Sequence, residues 1–457
     1  MPISLQGVNA VSVESVQESL ALKTVVMGTT PVQFDQSLPS LDAMHRLRVS
    51  EPQIVFESTF ANDAPSSLWE SGAYGAGTKT PDTTSWSTSL NTTTATATGY
   101  WIQSWFAPRC NLGLSTLVRF SFCSYGINPT AVSRVGIYSD QGTPPSNQGN
   151  GAYFEISGGA PQMVLRSLTA QASGYEVRAV QSDWNLDPLD GTGPSGISID
   201  WNFSQQLCIS LQFVGTGEVK LGFETSAGLV WAHAFSLINS LSSMWAQTAT
   251  LPLRAECFSI TAASLASRLT LFCCVVLQEG NGQPRPYRHR SYRGGVNSGD
   301  TALGLYPLCV IRPLPSLAVG SRPLLIPTTI AIYVSSAATA GSTLQWALVL
   351  GPTSLGALST VTLSTEGAQG LNVNAVAATA VTGGVTLFSG VMPNVVDSVI
   401  TIDLTSCSDN LLLAMQNAAG SLTTSGKNLL VLAAGALTGG ATTALTASGI
   451  LSWKELV

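Results

Sequence analysis

Charged residues are scarce in this sequence of 457 residues. Lysine, arginine, aspartate and glutamate together make up 10% of it, against about 25% in an ordinary soluble protein. Apolar residues reach 45%, so the scarcity of charge does not come with the low hydrophobicity that keeps a chain disordered. The composition therefore predicts a folded protein with large buried cores.

Basic residues are also outnumbered by acidic ones. The 20 lysines and arginines stand against 26 aspartates and glutamates, which gives a net charge of -6. Nucleic-acid binding depends on a concentrated positive field that neutralises phosphates, and this chain has no such excess. The sequence predicts no nucleic-acid partner.

Metal-ligand patterns are missing as well. The chain has three histidines and eight cysteines, and no two cysteines have the CxxC spacing of a zinc site. Most cysteines lie inside apolar runs such as LFCCVVL, where a thiol behaves as a small hydrophobe. We therefore expect core thiols, no metal and no cofactor, and the sequence leaves disulfides open.

Signals for catalysis are few. His233 lies in the alternating run LVWAHAF, which indicates a half-buried strand residue, and no GxSxG motif surrounds a serine. A glycosidase needs two carboxylates about 5 to 10 Å apart. The stretch SDWNLDPLDGTGPSGISIDW supplies four candidates, Asp183, Asp187, Asp190 and Asp200. Its many turn formers favour aspartates that cap turns, over a calcium loop or a catalytic pair. The sequence predicts that the chain is not an enzyme.

Long uninterrupted apolar runs are absent too. Residues 323–365 and 428–453 carry no charge, but Ser, Thr, Gly or Pro interrupts them every few residues. A membrane helix needs about 20 predominantly apolar residues. The interruptions predict short strands joined by turns and no membrane insertion.

Helical periodicity is sparse, whereas apolar or alternating runs of four to eight residues recur along the chain. This pattern predicts an all-β protein with two β-sandwich, jelly-roll-like domains and an extended N-terminal arm. The composition places the arm at residues 1–50, the first sandwich at 51–280, a linker rich in Arg, Gly and Pro at 281–300, and a smaller C-terminal sandwich at 301–457.

The second predicted domain has too few charges for a free surface. A soluble monomer keeps charged residues on its surface, and residues 323–365 supply none. Interfaces of obligate assemblies are more apolar than ordinary surface. We therefore expect this domain to be covered by other copies in a homo-oligomer.

Two clusters are candidates for contact with other molecules. Arg285, Arg288, Arg290 and Arg293 alternate with tyrosines in the predicted linker. A tether to acidic groups of a neighbouring subunit is favoured for them, and contact with phosphate or stacked bases is the alternative. Trp86 and Trp101 are candidate glycan contacts if they are exposed, although buried tryptophans are commoner in a sandwich.

A short alternating motif precedes the first domain. In LDAMHRLRVSEPQIVFES, residues 41–58, strand alternation would put Arg46 and Arg48 on one face. The segment is too short for a core of its own, so we expect it to pack on the first domain or on a neighbouring subunit. Arginines can bridge carbonyls and carboxylates at such a boundary. Asp42, Arg46 and Arg48 are the predicted anchoring residues.

Asp42 and the run RLRVS at 46–50 resemble the N-terminal signature of virion structural or tail-fibre-like proteins of tailed bacteriophages, although Met44 and His45 stand where that family often has Phe-Gly. Later stretches follow in the family's order. These are GAYFEISGGAPQMVLRS, a glycine-rich turn with strands that end in WAHAF, TLPLRAECF, YPLCVIRPLP and ILSWKEL.

The resemblance implies a concanavalin-like β-sandwich followed by a smaller sandwich, in a structural subunit of a virion without catalytic residues. It implies a fibre, spike or decoration protein, made in the host cytoplasm and placed on the particle surface or tail. The expected partners are other virion proteins, further copies in a homotrimer, and a host-surface glycan. The alternatives are a carbohydrate-binding host-recognition module and a polysaccharide hydrolase.

Overall fold

The structure is a computed structural model that describes residues 52–456 apart from a set of gaps. The longer gaps are 126–129, 140–148, 170–174, 239–242, 280–286, 300–303, 314–323, 337–342, 353–357, 362–370, 405–412, 415–428 and 437–444. The described residues form β-strands and one short 3-10 turn, Gln181–Asp183, and contain no α-helix. The predicted all-β class is confirmed. No helix in this part of the chain is long and apolar enough to cross a bilayer.

Residues 52–279 form a pair of antiparallel sheets. Their strands are β1 (Pro52–Thr59), β2 (Trp69–Tyr74), β3 (Thr78–Asp82), β4 (Ser87–Asn91), β5 (Thr98–Ser104), β6 (Ser115–Tyr125), β7 (Ala131–Tyr138), β8 (Gly151–Ser157), β9 (Ala160–Ser167), β10 (Tyr175–Val180), β11 (Gln205–Gln212), β12 (Val219–Thr225), β13 (Gly228–Phe235), β14 (Leu253–Ser259) and β15 (Arg268–Glu279). The eight-stranded sheet has the order β13-β12-β11-β6-β15-β4-β3, with β1 also paired to β15. The seven-stranded sheet has the order β10-β9-β8-β7-β14-β5-β2.

Strict alternation explains why these segments pack as two layers. Along β6, Val118, Phe120 and Phe122 are buried in the core, whereas Arg119 and Ser121 are only half-buried. Successive side chains of a strand point to opposite faces. Each strand therefore has one face that packs inside the sandwich and one that faces away from it.

Aromatic side chains from both sheets fill part of the core of this first sandwich. The Phe154 ring lies 5.7 Å from Phe122, 5.1 Å from Phe223 and 5.0 Å from Trp201, measured between ring centroids. Phe154 belongs to the seven-stranded sheet, and Phe122 and Phe223 belong to the eight-stranded one. The aromatic contacts thus join the two layers.

Residues 287–456 form a second pair of sheets. Their strands are β16 (Tyr287–Arg293), β17 (Asn297–Gly299), β18 (Tyr306–Pro313), β19 (Leu324–Ser336), β20 (Thr343–Leu350), β21 (Leu358–Val361), β22 (Leu371–Val376), β23 (Val385–Pro393), β24 (Val399–Asp403), β25 (Leu413–Ala414), β26 (Leu430–Ala436) and β27 (Leu445–Leu456). One sheet has the order β16-β27-β19-β24, and the other β21-β22-β18-β26-β20-β23. Leu348, Leu432 and Trp453 are fully or almost fully buried in the core between them.

The predicted linker at 281–300 differs from the structure. Residues 287–293 form β16, which pairs with β27 from Tyr287 opposite Leu456 to Arg293 opposite Ile450. β17 pairs with the same strand. Backbone pairing with β27 is therefore the reason that this segment is a strand and not a linker. The Gly- and Pro-rich part of the prediction lies outside the described residues, and so does the N-terminal arm. The boundary between the two domains stays a prediction.

Replacing Phe154 by alanine tests the core of the first sandwich. We expect Phe154→Ala to lower the free energy of unfolding by about 3 to 5 kcal/mol, because a buried aromatic ring is removed and a cavity is left. Phe203→Ala is the matched control, since Phe203 is 68% exposed. Denaturant unfolding followed by tryptophan fluorescence measures both. Equal destabilisation by the two changes would contradict the described packing.

Candidate functional site

The face of the seven-stranded sheet that points away from the core carries charged side chains in register. Alternation along β7, β8 and β14 places Val135, Phe154 and Ala255 in the core. Neighbouring residues on a strand face opposite sides of the sheet. The residue after Phe154 and the residue after Ala255 therefore face away from the core, and so does the residue before Val135. These are Glu155, Glu256 and Arg134, and Arg134 is the cross-strand partner of both glutamates. The register thus puts one arginine between two glutamates.

Arg134 donates hydrogen bonds to both glutamates. Its Nε lies 2.6 Å from Glu155 Oε2, and its Nη1 lies 3.0 Å from Glu256 Oε1. All three side chains are almost completely buried. Charged groups are tolerated at such depth when they are paired and hydrogen-bonded. This triad is the centre of the charged face.

Arg254 supplies a second guanidinium to Glu256. Its Nε and Nη2 lie 3.1 Å and 2.9 Å from Glu256 Oε2, and its Nη1 lies 3.1 Å from Gln103 Oε1. The Tyr74 hydroxyl donates to Glu256 at 3.0 Å and accepts from Arg254 at 2.9 Å. Gln103 donates onward to Glu70 at 2.8 Å. The network therefore reaches from β7 to β2, at the edge of the sheet.

A further part of the network lies on β9 and β10. Arg178, which is about one-third exposed, contacts Glu155 and donates to Glu176 at 3.0 Å. Arg166 donates to the Tyr153 hydroxyl at 2.9 Å, and that hydroxyl donates to Glu176. The charged network thus spans the whole width of the sheet.

The electrostatics keep these groups in fixed charge states. Burial alone would raise the pKa of Glu256, but Arg254 and Arg134 outweigh it and lower that pKa to about 2. Burial raises the pKa of Tyr138 and Tyr153 well above the usual range of tyrosine. At neutral pH the glutamate is ionised and the tyrosines are protonated. Glu256 therefore accepts hydrogen bonds and does not serve as a proton donor.

Trp101, one of the two predicted glycan contacts, belongs to this face. It is half-buried, its ring lies 4.7 Å from the Arg254 guanidinium, and it packs against a cluster that includes Tyr74 and Phe258. A Cβ at Gly72 would lie 2.8 Å from the indole. The glycine on the neighbouring strand provides the space that this ring occupies.

Trp86, the other predicted contact, lies in the turn between β3 and β4 and is 68% exposed. Its φ of 54° is in the left-handed region. The Asp82 carboxylate fixes the turn, since it accepts the Ser85 hydroxyl at 2.7 Å and the Thr84 backbone N–H at 2.9 Å. Trp86 and Trp101 belong to different sheets. Trp86 is thus the more accessible indole of the two.

The aspartate-rich stretch caps turns, as predicted. Asp187 is buried and accepts the backbone N–H groups of Leu189 at 2.9 Å and Ser195 at 2.8 Å. Asp190 and Asp200 each accept the backbone N–H two residues ahead, at 2.9 Å and 3.0 Å. Side-chain bonds of this kind stabilise tight turns. In the described part of the chain, no group of three potential ligands could hold a metal ion.

His233 is a strand residue, and it is more buried than the predicted half-buried side chain. Its Nδ1 accepts the backbone N–H of Asn185 at 3.3 Å, and its ring lies 4.5 Å from Phe235. Burial lowers the pKa of His233 to about 4. The imidazole is therefore neutral at pH 7.

Seven predicted contact or anchoring residues remain, and the structure describes three of them. Arg288, Arg290 and Arg293 lie in β16 and not in a linker. Four predicted residues lie outside the described part of the chain, namely Asp42, Arg46, Arg48 and Arg285. The structure therefore neither supports nor contradicts the anchoring role predicted for the arm.

The cysteines follow the predicted core-thiol pattern with one exception. Seven cysteines are described, and none of these seven forms a disulfide bond. Six are buried, whereas Cys273 is exposed. Cys407 lies outside the described residues.

The charged network was missed by the sequence analysis. Its signal is a charged residue at the polar positions of otherwise apolar strands, as in SRVGIY, YFEIS and LRAECF. That alternation shows that these residues share the face of a sheet that is turned away from the core. It does not show which strands are neighbours, and so it does not show which charges meet.

Comparison with known proteins gives likeness of fold only. No protein-family model and no curated protein matches the sequence. The potassium-bound carbohydrate recognition domain of Emp46p is 10% identical, covers 50% of this chain and 98% of its own, and has a TM-score of 0.32. A family 16 endo-glucanase from Bacteroides ovatus is 10% identical over 49% of this chain and 100% of its own, with a TM-score of 0.33. A carbohydrate esterase from the Shiga toxin-encoding bacteriophage phi24B is 10% identical over 50% and 100%, with a TM-score of 0.30.

The prediction that the chain is not an enzyme is corrected by these similarities. They include a family 16 glycoside hydrolase and a carbohydrate esterase, so enzymes are found among the proteins that this chain resembles. The absence of sequence motifs for catalysis was an insufficient reason for the exclusion. At this low identity the likeness assigns no activity to the chain either.

A change at Glu256 tests the charged network. Because its folded pKa is lowered from 4.5 to about 2, its stabilisation is present above about pH 4.5 and is lost as the pH falls toward 2. We expect Glu256→Gln to cost about 3 to 5 kcal/mol at neutral pH, since two buried arginines lose their shared partner. The variant should also lose part of the acid-induced fall in stability.

Thermal unfolding over a range of pH values measures both effects. Asp183→Asn is the control, because Asp183 is an exposed carboxylate without a hydrogen-bond network of this kind. A Glu256→Gln protein with the pH profile and the stability of the control would contradict the role assigned to the network.

Proposed function

We propose that the chain is a structural subunit of a bacteriophage virion and that it assembles with further copies of itself. The sequence supports this through the ordered series of motifs that resembles tailed-phage virion proteins. The structural observation that carries the proposal is an apolar edge of the second sandwich, formed by β23 and β24.

This apolar edge is open in the described part of the structure. β23 pairs there with β20, and β24 pairs with β19, and each stands at the end of its sheet. Val391, Val395 and Val399 are 58%, 52% and 60% exposed. β23 has no charged residue. Natural monomers protect edge strands with charges or cover them, so this edge favours contact with another copy. We expect a trimer, because virion fibres are commonly built as trimers and the second domain is poor in charge.

The oligomeric state tests this edge. We expect the 47.6 kDa chain to elute as an oligomer in size-exclusion chromatography with light scattering. The double change Val391→Lys, Val399→Lys should shift it toward the monomer, because two charges would be buried without partners. Ile260→Lys is the control, since Ile260 is a 60% exposed residue of the first sandwich. A wild-type chain that is monomeric at micromolar concentration would contradict the assembly.

The anchoring arm is the second part of the proposal. Asp42, Arg46 and Arg48 would hold residues 1–50 on a neighbouring virion protein, since the alternating arginines offer several donors on one face. This part rests on the sequence alone.

Incorporation into particles tests the virion role directly. We expect mass spectrometry to find the wild-type chain in gradient-purified phage particles. A chain without residues 1–50 should be missing from them while its thermal unfolding stays cooperative, because the sandwiches lie outside the arm. Particles that lack the wild-type chain would contradict the virion role, and unchanged incorporation of the truncated chain would contradict the anchor.

Carbohydrate binding by the first sandwich is a second candidate function. The observation that favours it is the exposed indole of Trp86, held at the end of a hairpin by the Asp82 hydrogen bonds. Aromatic rings that are rigidly presented to solvent suit the apolar faces of sugars. Such binding is compatible with a virion subunit that meets a host-surface glycan.

A further inference from the structure

A depression of about 510 Å³ lies on the face of the eight-stranded sheet that points away from the core. Its size is within the range of small-molecule sites. The lining comes mainly from β1, β15, β6 and β11, and it consists of Glu57, Ser58, Thr59, Pro65, Leu68, Arg119, Ser121, Gln206, Cys273, Cys274 and Val275. None of the residues predicted from the sequence lies in it.

The strand register arranges the lining in two rows. One row runs from Thr59 through Cys273 and Ser121 to Gln206, each paired with the next across the sheet. The second row contains Glu57, Val275 and Arg119, paired in the same way. Strands lie about 4.8 Å apart, so the four strands span roughly 14 Å. The depression is thus an elongated site with polar groups along its length.

Hydrogen-bonding capacity is left over at the centre of this site. Arg119 Nη2 lies 3.8 Å from Glu224 Oε2, which is beyond hydrogen-bond distance. Arg119 Nε and Glu224 Oε2 are buried, and neither has a hydrogen-bond partner in the structure as described. Buried polar atoms are normally satisfied. The Arg119 side chain as a whole is about one-third exposed. A loosely paired guanidinium therefore borders the depression and can donate to a ligand with hydroxyl groups.

The charges and surfaces of the lining narrow the class of ligand. Glu57 balances Arg119, and Glu224 is close by, so an anion gains little here. Serine and threonine hydroxyls and the Gln206 amide add neutral donors and acceptors. Pro65, Leu68 and Val275 contribute apolar surface to the lining. A ligand that carries both hydroxyl groups and C–H surface matches this combination of polar and apolar lining groups.

We propose that the depression around Arg119 binds a neutral saccharide. The guanidinium and the Gln206 amide would donate to sugar oxygens, and Glu57 would accept from sugar hydroxyls. This inference rests on the carbohydrate-binding candidate function and gives it a site and a ligand class. The site is separate from the Trp86 hairpin, because none of its lining residues belongs to β3, β4 or their turn.

Cys273 makes the site accessible to a chemical test. Its thiol is exposed in the depression, whereas the other described cysteines are buried. N-ethylmaleimide should therefore react first at Cys273 in a full-length Cys407→Ser background. The adduct forms when the thiolate adds to the maleimide double bond, so nothing is released and no oxidant is needed. It would fill the depression without any change in the fold of the chain.

The experiment is a glycan array followed by titration of the strongest hit. The array should contain neutral gluco-, galacto- and manno-oligosaccharides together with sialylated ones. We expect a neutral ligand. Binding should be about tenfold weaker or more after Arg119→Met, since hydrogen bonds from a charged group are lost. It should be weakened as much by alkylation of Cys273, since the adduct occupies the depression. Arg268→Met is the control, because Arg268 is an exposed arginine of the same sheet outside the depression.

Each other outcome overturns a defined part of the proposal. Binding that is lost in Trp86→Ala but unchanged by Arg119→Met and by alkylation would overturn this site and keep the carbohydrate-binding function. Preference for sialylated ligands would overturn the neutral class. A wild-type chain that retains no glycan would overturn the candidate function together with the site. If Arg119→Met does not fold, alkylation of the folded Cys407→Ser chain decides.

Discussion

The structure of the first sandwich depends on the pairing of buried charges on its seven-stranded sheet. Arg134, Arg166 and Arg254 are almost completely inaccessible to solvent, although they stand on the face opposite the apolar core. An unpaired charge at that depth costs several kcal/mol. The sheet therefore requires glutamates beside its arginines. Arg134 and Arg166 have them in cross-strand register, and Arg254 has Glu256 two residues along its own strand. A shift of one strand by one residue would turn the charged groups of that strand toward the core and leave their partners unpaired.

The outward faces of the two sheets of the first sandwich differ in how closely their charged side chains are paired. On the seven-stranded sheet the buried arginines and glutamates form close ion pairs with one another. On the eight-stranded sheet Arg119 is only loosely paired with Glu224, at 3.8 Å, and its neighbours border an open depression. The fixed network suits a rigid scaffold, and the incompletely paired site suits recognition. The second sandwich has little charge of either kind. Its exposed valines lie on the edge strands β23 and β24 and in the connection between them, where contact with another copy would cover them.

Much of the architecture could be predicted from short-range patterns. The alternation in LVRFSFCSY and LCISLQF predicts two-sided strands, and both segments form strands with a buried apolar face. The Asp187 to Asp200 turns were predictable because a capping aspartate bonds to backbone groups only a few residues away. The strand at 287–293 was not predictable, because its partner is β27, which lies more than 150 residues further along the chain. Missing motifs were also an insufficient ground for excluding enzyme function, since catalytic groups are recognised by geometry and not by sequence position.

By itself, the sequence determined the all-β class, the two-sided character of the strands, the core thiols and the local turns, because each of these depends on residue type and on interactions between near neighbours. The tertiary structure decided which strands pair. Only that pairing brings Arg134 between Glu155 and Glu256, separates Trp86 from Trp101 onto different sheets, and places Glu57, Arg119 and Cys273 around one depression. Contacts of this kind join strands that are distant along the chain. They depend on sheet order and register, which alternation alone leaves open.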